Sequence, residues 1–486
     1  MKILIINPPH LSIGSRMANE HLPPLGLLSI GGPLIDAGHE VKLLDADYYN
    51  YKIDRVVQLI LEDNPDVILL GHSGSTSAQP IINEITKGVR QQNEHIQIII
   101  GGVFPTYHWK EILEDNPQID YVVCGEGEEI VLNLIEALEN KTYPEPIKGL
   151  AFRINGIPYK TAPAPNIQNL DDFRVGWELM KGYNYTYWGK RKAVVIQFSR
   201  GCPYPCTYCG QSLFWKKWRH RSAQSLADEM EMLHKEYGVL VFNFADENPS
   251  SNPKAWREFL EALVAKNLKL ILVGSIRADN IVRDADFLHL YKKAGFERFL
   301  LGIENYDEVV LEKIKKAGTI SKDKEAIQLL RKHNILSMAT YVVGFGEERT
   351  RDFYNSWKQL VSYDPDQIQL LYVTPHKWTP YFDEVKEKEI ILTGQRKWDY
   401  KHQVIKTQYL KPWKVILYVK LIEISVQLRP KALKRLFFHK EARLRSAMRW
   451  YTNIGRRVWF WELYQFFFVT KLLRSSEKVK MKDFWK

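Results

Sequence analysis

The feature that most limits what this chain can fold into is a repeated alternation of short apolar runs with helix-length segments. Ile3–Ile6, Val41–Asp45, Val67–Gly71, Ile98–Gly101 and Tyr121–Cys124 read as strands, and Leu25–Ala37 (closed by Gly38) and Val56–Glu62 as helices among them. Continuous Val/Ile/Leu runs bounded by Gly and Pro mark strands buried on both faces, so residues 1–140 are expected to form a doubly wound parallel sheet. The alternation resumes near Ala193, with strands at Val194–Phe198, Leu240–Phe244, Leu270–Ser275, Phe299–Ile303, Ala339–Phe345 and Gln367–Val373. Six β/α units predict a partial barrel whose chemistry lies at the carboxyl ends of its strands. Residues 141–185 are punctuated by Pro144, Pro146, Pro158, Pro163 and Pro165 and carry a small hairpin across Asn155-Gly156. They read as a connector between the 1–140 domain and a 186–410 core.

Three of the four cysteines fall within Arg200-Gly201-Cys202-Pro203-Tyr204-Pro205-Cys206-Thr207-Tyr208-Cys209-Gly210, spaced C-x3-C-x2-C. Thiols this close in a cysteine-poor chain point to a metal centre in a reducing compartment, and so to a cytoplasmic protein. Zinc normally takes a fourth protein ligand, and none is obvious nearby. A cubane iron–sulfur cluster held by three thiolates keeps one iron open. From the residues alone, a zinc knuckle or three thiols in a turn remain alternatives. The N-terminus runs straight into a strand pattern without signal-peptide anatomy, and no apolar stretch is long enough to predict a transmembrane helix.

The cysteine spacing, with an aromatic before the third cysteine, resembles the radical S-adenosylmethionine (SAM) superfamily. The resemblance implies a [4Fe–4S] cluster on Cys202, Cys206 and Cys209 whose open iron chelates SAM and cleaves it to a 5'-deoxyadenosyl radical. The same resemblance gives the strand ends roles in SAM binding. Asp246-Glu247 stands where the family places a segment for the SAM amino group, and either carboxylate fits. Arg277 follows the third strand. Glu304 lies in the segment near the SAM carboxylate and ribose, and Gly344 and Glu347 in the segment around adenine. Tyr208 completes this set.

The order of loops in the first domain resembles the cobalamin-binding domain found ahead of many radical SAM domains. The residues implied are Pro9, Pro24, Gly26, His72, Ser73, Ser75, Gly101, Gly102, Thr106, Gly125, Glu126 and Gly127. No D-x-H-x-x-G motif is present, so the resemblance implies cobalt without a histidine from the protein; His10 and His72 read as loop histidines. No G-x-G-x-x-G fingerprint favours a nicotinamide. Together the resemblances imply an α/β chain: a doubly wound Rossmann-like cobalamin-binding domain, a partial (β/α)6 radical SAM barrel, and a helical C-terminal region at 411–486.

Phe214-Trp215-Lys216-Lys217-Trp218-Arg219-His220-Arg221 and the segment through Thr374-Pro375-His376-Lys377-Trp378 resemble the oxidative-cyclase group of this family. That implies oxygen-independent closure of the isocyclic ring on magnesium-protoporphyrin IX monomethyl ester, with oxygen from water, in (bacterio)chlorophyll synthesis. It also implies a reductase such as flavodoxin or ferredoxin. Trp215, Trp218 and Trp378 suit a flat macrocycle, and Arg219, Arg221 and Lys377 suit a carboxylate. His220, His376 or His402 suits magnesium. Methyl transfer to a hydrophobic substrate, and a non-catalytic corrinoid sensor, are the alternatives.

The formal net charge of +11 is uneven. Residues 411–486 hold 19 Lys/Arg against 5 Asp/Glu, a net of +14, leaving −3 on the rest. With the tryptophans and the Phe466-Phe467-Phe468-Val469 run, this tail is expected to bind an anionic membrane surface peripherally. The apolar run suits nucleic acid less well. The tail is read as two helices, Trp413–Leu428 and Val458–Leu473, and a plain cap over the barrel is the alternative role.

Overall fold

The computed structural model describes residues 1–9, 20–71, 76–317, 320–469 and 479–484. The chain divides into two units, residues 1–16, 21–185 and 395–399 in the first and the remainder in the second.

In the first unit, β1 (Lys2–Asn7), β2 (Glu40–Asp45), β3 (Val67–Gly71), β4 (Gln97–Gly101) and β5 (Tyr121–Val123) are parallel in the order 2-1-3-4-5. Ile3, Ile5, Ile6, Val67, Ile68, Ile98 and Ile100 are wholly buried, as expected for apolar runs covered on both faces. Helices Leu25–Asp36, Ile53–Asp63, Gln79–Arg90, Val103–Asp115 and Gly127–Glu139 alternate with these strands. Strand order reverses between β1 and β3, the switch point at whose carboxyl ends ligands bind in sheets of this kind. The sequence assigned the hairpin at 150–160 to a connector. It instead extends the sheet: β6 (Leu150–Ile154) pairs antiparallel with β5, and β7 (Ile157–Lys160) with β6. Its core-facing Leu150, Ala151 and Phe152 are buried, so apolar burial outweighs the proline punctuation.

In the second unit, β8 (Thr186–Tyr187) pairs antiparallel with β9 (Arg191–Ile196), the first of six parallel strands. The short β10 (Ser199–Arg200) and β11 (Arg219–His220) pair with each other and pin the two ends of the cysteine loop. β12 (Val241–Phe244), β13 (Ile271–Ile276), β14 (Phe296–Glu304), β15 (Leu336–Val343) and β16 (Gln367–Tyr372) follow in sequential order beside β9, the open array of a partial barrel. The crossover helices are capped by local chemistry. Asn252 accepts from the backbone N–H of Lys254 and Ala255 at 3.0 and 3.2 Å ahead of Pro253, and Gly238 ends helix Ala223–Tyr237 in the left-handed region.

The C-terminal region forms helices Pro412–Gln427, Pro430–Phe438 and Ala442–Tyr464, the last running into a wider turn at Gln465–Val469. The helix expected from Val458 thus begins 16 residues earlier; Arg443, Arg445, Arg449, Arg456 and Arg457 interrupt the apolar pattern that would have revealed it. Residues 470–473 of that expectation lie outside the described residues. No described helix is long and apolar enough to cross a membrane.

Candidate active site

The cysteine loop leaves β10 at Gly201, whose φ of +94° and close approach to the Lys217 carbonyl oxygen (2.6 Å from an added Cβ) exclude a side chain. The Cys209 N–H donates to the Cys206 carbonyl at 3.2 Å, and the Thr207 N–H to the Ile314 carbonyl at 3.0 Å. Burial pushes all three thiols up, Cys206 to about 11. Opposing this, backbone N–H groups of Gln211 and Ser212 draw Cys209 down, and the positive charges of Arg277 and Lys316 act on Cys202 and Cys206. The loop is thus a set of half-buried thiols held protonated by burial, with Arg277 and Lys316 near Cys202 and Cys206 partly offsetting it. Cys124, after β5 in the first unit, is buried and pushed up to about 12.

The strand ends beside the loop carry buried charge. Asp246 accepts from the Phe198 N–H (3.1 Å), the Ser199 N–H (2.5 Å) and the Ser199 hydroxyl (2.6 Å), and so ties the ends of β9 and β12 together. Burial raises it to about 6. Glu247 differs. Burial raises it to about 7, its Oε2 has no hydrogen-bond partner, and its charge reaches Cys209. The Trp215 indole nitrogen approaches it without hydrogen-bond geometry and is itself unpartnered.

Arg277 lies over the Tyr204 ring at 3.6 Å, forms a bidentate pair with Asp279 (2.9 Å twice) and donates to the Ala317 carbonyl. β14 bulges between Gly302 and Glu304, and Glu304 adopts a φ of +67°, costly for a residue with a side chain. This turn brings Glu304 to Lys316 at 3.1 Å. A Cβ on Gly302 would come within 2.3 Å of Glu304 Oε1 and 2.7 Å of Lys316 Nζ. Burial, then the Glu304 charge beside it, holds the Tyr208 hydroxyl well above its ordinary value. Asp323 is raised to about 7 by burial, against the pull of Lys316. Arg277, Asp279, Gly302, Lys316 and Asp323 line one cleft. Of these, Asp279, Lys316 and Asp323 escaped the sequence reading.

At the end of β15 the Gly344 N–H donates to Glu348 Oε2 at 2.7 Å. Glu348 is raised to about 7 by burial, whereas Glu347 is exposed. The structure therefore turns the second carboxylate inward, not the one singled out from the sequence. Phe345 places its ring against Tyr208 at 6.2 Å and Tyr381 at 5.8 Å.

In the first unit, Pro9 follows β1 and Pro24 precedes helix Leu25–Asp36. A Cβ added at Gly26 or Gly125 meets nothing within 4 Å, so both open onto space. Gly101 and Gly127 are instead packed, against Val123 and Ile30 respectively. The Thr106 hydroxyl donates to the Gly102 carbonyl at 2.7 Å and accepts from the Gly125 N–H at 3.0 Å, which joins the loops after β4 and β5. Glu126 departs from its expected role. It is buried and accepts from Asn166 Nδ2 and the Ile167 N–H at 3.0 and 2.9 Å, holding the following chain segment. His10, His72, Ser73 and Ser75 lie outside the described residues.

Residues 15–135 match the B12 binding domain family and residues 196–354 the Radical SAM superfamily. The chain is 52% identical over 485 residues to the anaerobic magnesium-protoporphyrin IX monomethyl ester cyclase of Synechocystis sp. (strain ATCC 27184 / PCC 6803 / Kazusa), covering 100% of this chain and 97% of that one. The chain belongs to this family of cobalamin-binding radical SAM enzymes. A cyclase of the same name from Cereibacter sphaeroides is 31% identical over 85% of this chain and 67% of its own length. Among solved structures, the radical SAM methyltransferase TsrM from Kitasatospora setae has a TM-score of 0.70 at 16% identity, covering 89% of this chain and 90% of its own. The cobalamin-dependent enzyme OxsB has a TM-score of 0.71 at 16% identity, covering 96% and 73%. These two likenesses show the fold.

The cofactors of this family are cobalamin, a [4Fe–4S] cluster and SAM, and the residues present fit them. Among the described residues no three His, Cys, Asp or Glu side chains converge on a single metal ion. A cubane needs no such convergence, because each thiolate takes a different iron. Glu247, buried with an unpartnered oxygen, suits an ammonium group. The open faces at Gly26 and Gly125 suit close backbone approach by a large ligand.

The aromatic residues expected at the substrate divide into two groups. Trp378 donates its indole N–H to the Gly210 carbonyl at 2.8 Å and stacks on His376 at 4.6 Å, so both stand beside the cysteine loop. His376 is wholly buried and shares a 2.6 Å hydrogen bond with the Tyr400 hydroxyl. Trp218 donates to the Asn248 carbonyl at 3.0 Å, while Arg219 bonds the Trp215 and Lys217 carbonyls in β11. His220 is exposed on the same strand, and Arg221 pairs with Glu229. These last three form the framework of the loop's return strand. His402 sets its ring 6.4 Å from Trp461, within the C-terminal helices.

Proposed function

We propose that this enzyme closes the isocyclic ring of magnesium-protoporphyrin IX monomethyl ester without O2, taking the new keto oxygen from water. The observation that carries the reading is 52% identity to a cyclase of that name across essentially the whole of both chains. The overall conversion adds one oxygen and removes four hydrogens, so one water enters and six electrons and six protons leave, the electrons being accepted by three equivalents of SAM reduced to methionine and 5'-deoxyadenosine. When bound, the cluster and SAM supply a hydrogen-abstracting radical, and cobalamin supplies a one-electron or methyl-transfer centre.

The chain's own residues then act as follows. Cys202, Cys206 and Cys209 hold the cluster. Glu247 takes the SAM ammonium group, since Asp246 is committed to β9. Arg277 and Lys316, beside Glu304, present positive charge on the carboxylate side of the same ligand. Tyr208, Phe345 and Gly344 line the adenine side, with Glu348 holding the Gly344 backbone in place. His376, Trp378 and Trp215 form the aromatic walls nearest the cluster loop. A tetrapyrrole and an external low-potential reductase are the partners in this reading, and an anionic membrane surface is a third, through residues 411–486.

Methyl transfer is the second reading, favoured by the 28% identity to an uncharacterized methyltransferase of Pyrococcus horikoshii over 92% of this chain and 97% of that one. Product mass under strictly anaerobic conditions separates the two. Cyclisation adds one oxygen and removes four hydrogens; methylation adds CH2 and would overturn the proposal.

A further inference from the structure

We infer that the uncovered apolar face of the C-terminal helices, with the exposed basic residues those helices carry, is a docking surface for an anionic lipid membrane. This deepens the membrane part of the reading above and is independent of the ring chemistry.

Helix Pro412–Gln427 is apolar on two sides. Val415, Ile416, Val419, Ile422 and Val426 are buried toward the core. On another side Trp413, Leu417, Leu421, Ile424 and, one residue past the helix, Leu428 are exposed, from 38% at Trp413 to 58% at Leu428. Their spacings of four, four, three and four residues keep them on one stripe. Scattered exposed leucines need no explanation, but a stripe along a helix of 16 residues, about 24 Å long, marks an interaction surface. The neighbouring helices add exposed Phe438 (76%), Phe460, Phe467 and Phe468 (70%). Helix Ala442–Tyr464 is tied to Pro412–Gln427 by the buried Lys420–Glu462 pair and by the Trp459 indole N–H donating to the Lys420 carbonyl at 3.2 Å.

Charge identifies the occupant. Arg429 and Arg435 of the tail's cations are committed to Asp364, and Arg443 to Glu297. Lys431, Lys434, Arg456 and Arg457 are exposed and have no carboxylate partner among the described residues. Lys434 lies four residues before Phe438, and Arg456 and Arg457 four and three before Phe460, so cations and aromatics share helix faces. With the aliphatic stripe they match an anionic leaflet, where each basic residue contributes roughly 1 kcal/mol and the apolar groups insert without spanning. Asp364 and Glu297 lie at the amino ends of β16 and β14, opposite the ends that carry the cysteine loop. Arg429, Arg435 and Arg443 thus anchor the tail at the amino ends of the strands, while Glu462 and Trp461 of its last helix reach Lys401 and His402.

The test uses the full-length holoenzyme and vesicles of phosphatidylcholine alone or mixed with phosphatidylglycerol, at low and high salt. The expected result is co-sedimentation with the anionic vesicles only, reversed by salt. It should weaken at least roughly tenfold in Lys431→Glu/Lys434→Glu/Arg456→Glu/Arg457→Glu and be lost in Leu417→Glu/Leu421→Glu/Ile424→Glu. SAM cleavage in vesicle-free buffer should be unchanged in both. Equal recovery with neutral vesicles, no recovery with anionic ones, or wild-type binding by either variant overturns the inference. A wild-type dimer that the stripe substitutions split, without vesicle binding, assigns the face to a second copy and also overturns it. The charge variant changes only exposed residues, so it keeps the test decisive should the stripe variant misfold. Failure of the cyclase reading would appear in product mass, not in sedimentation.

Discussion

The loops at the carboxyl ends of the two sheets are built from opposite materials. In the first unit they are glycines and hydroxyls, and the few nearby charges are engaged internally: Asp45 takes Asn7 Nδ2 at 2.8 Å and the Tyr185 hydroxyl at 2.7 Å, and Glu126 holds residues 166–167. In the second unit the strand ends carry Asp246, Glu247, Arg277, Glu304 and Lys316 beside three half-buried thiols, and Glu348 after β15. Burying charge is costly unless it is paired. One parallel-sheet plan therefore yields two kinds of recognition. In the proposed reading, open backbone and shape serve a large corrinoid, and convergent charge serves a small zwitterion and a cluster.

The sharpest way to break this comparison is to remove the thiols. Alanine at Cys202, Cys206 or Cys209 should abolish both the iron–sulfur absorbance and SAM cleavage while leaving corrinoid binding intact, and Cys124→Ala should retain all three. Loss of corrinoid with the cluster would show that the two regions are not separable.

Next in size is the contrast between adjacent carboxylates. Glu247→Gln should weaken SAM binding roughly 10- to 100-fold, the worth of a charge-assisted hydrogen bond, with little change in stability. Asp246→Asn should instead lower stability, because it disturbs the three hydrogen bonds that join β9 to β12. Isothermal titration with SAM and thermal unfolding distinguish the two, and equal SAM loss with equal stability in both variants would contradict the division of labour.

How far the sequence foretold these sites follows from what leaves a pattern. The strands were legible because burial on two faces forces unbroken apolar runs, and the cysteine motif because its ligands are local. Lys316, Asp279 and Asp323 were not, since a lone charge has no period, whether it stands in a loop like Lys316 or in the first turn of a helix like Asp279 and Asp323, and only the bulge at Glu304 and the packing of helix Ile320–Lys332 against Ala278–Arg283 bring them together. At the end of β15 the choice between Glu347 and Glu348 depended on the direction of one residue, which Gly344 and Gly346, both at positive φ, set locally. The proline-rich 141–185 segment concealed a sheet extension, and arginines concealed the start of the last helix.

Glu348 supplies a pH signature. Its native pKa, about 7, lies above the ordinary carboxylate value of 4.5, so the native state keeps a proton that the unfolded chain has released. This component of stability is therefore full below about pH 4.5, falls by about 3 kcal/mol as pH rises to about 7, and then levels. Glu348→Gln should remove this component, so its stability relative to the wild type should rise across that window in urea titrations. A constant offset would place Glu348 in solvent.

The smallest effect expected is at the open glycines. Gly26→Leu should weaken corrinoid binding roughly tenfold by filling the space a ligand needs, without destabilising the helix it enters. Unchanged affinity would remove Gly26 from the cobalamin surface.

The most direct test of the account as a whole is the source of the atoms added to the substrate. Magnesium-protoporphyrin IX monomethyl ester is incubated anaerobically with reconstituted enzyme, reductant, H2(18)O and SAM carrying a deuterated methyl group. The account predicts a ring-closed product with (18)O in the keto group and no deuterium. A product carrying the labelled methyl and no solvent oxygen would contradict it.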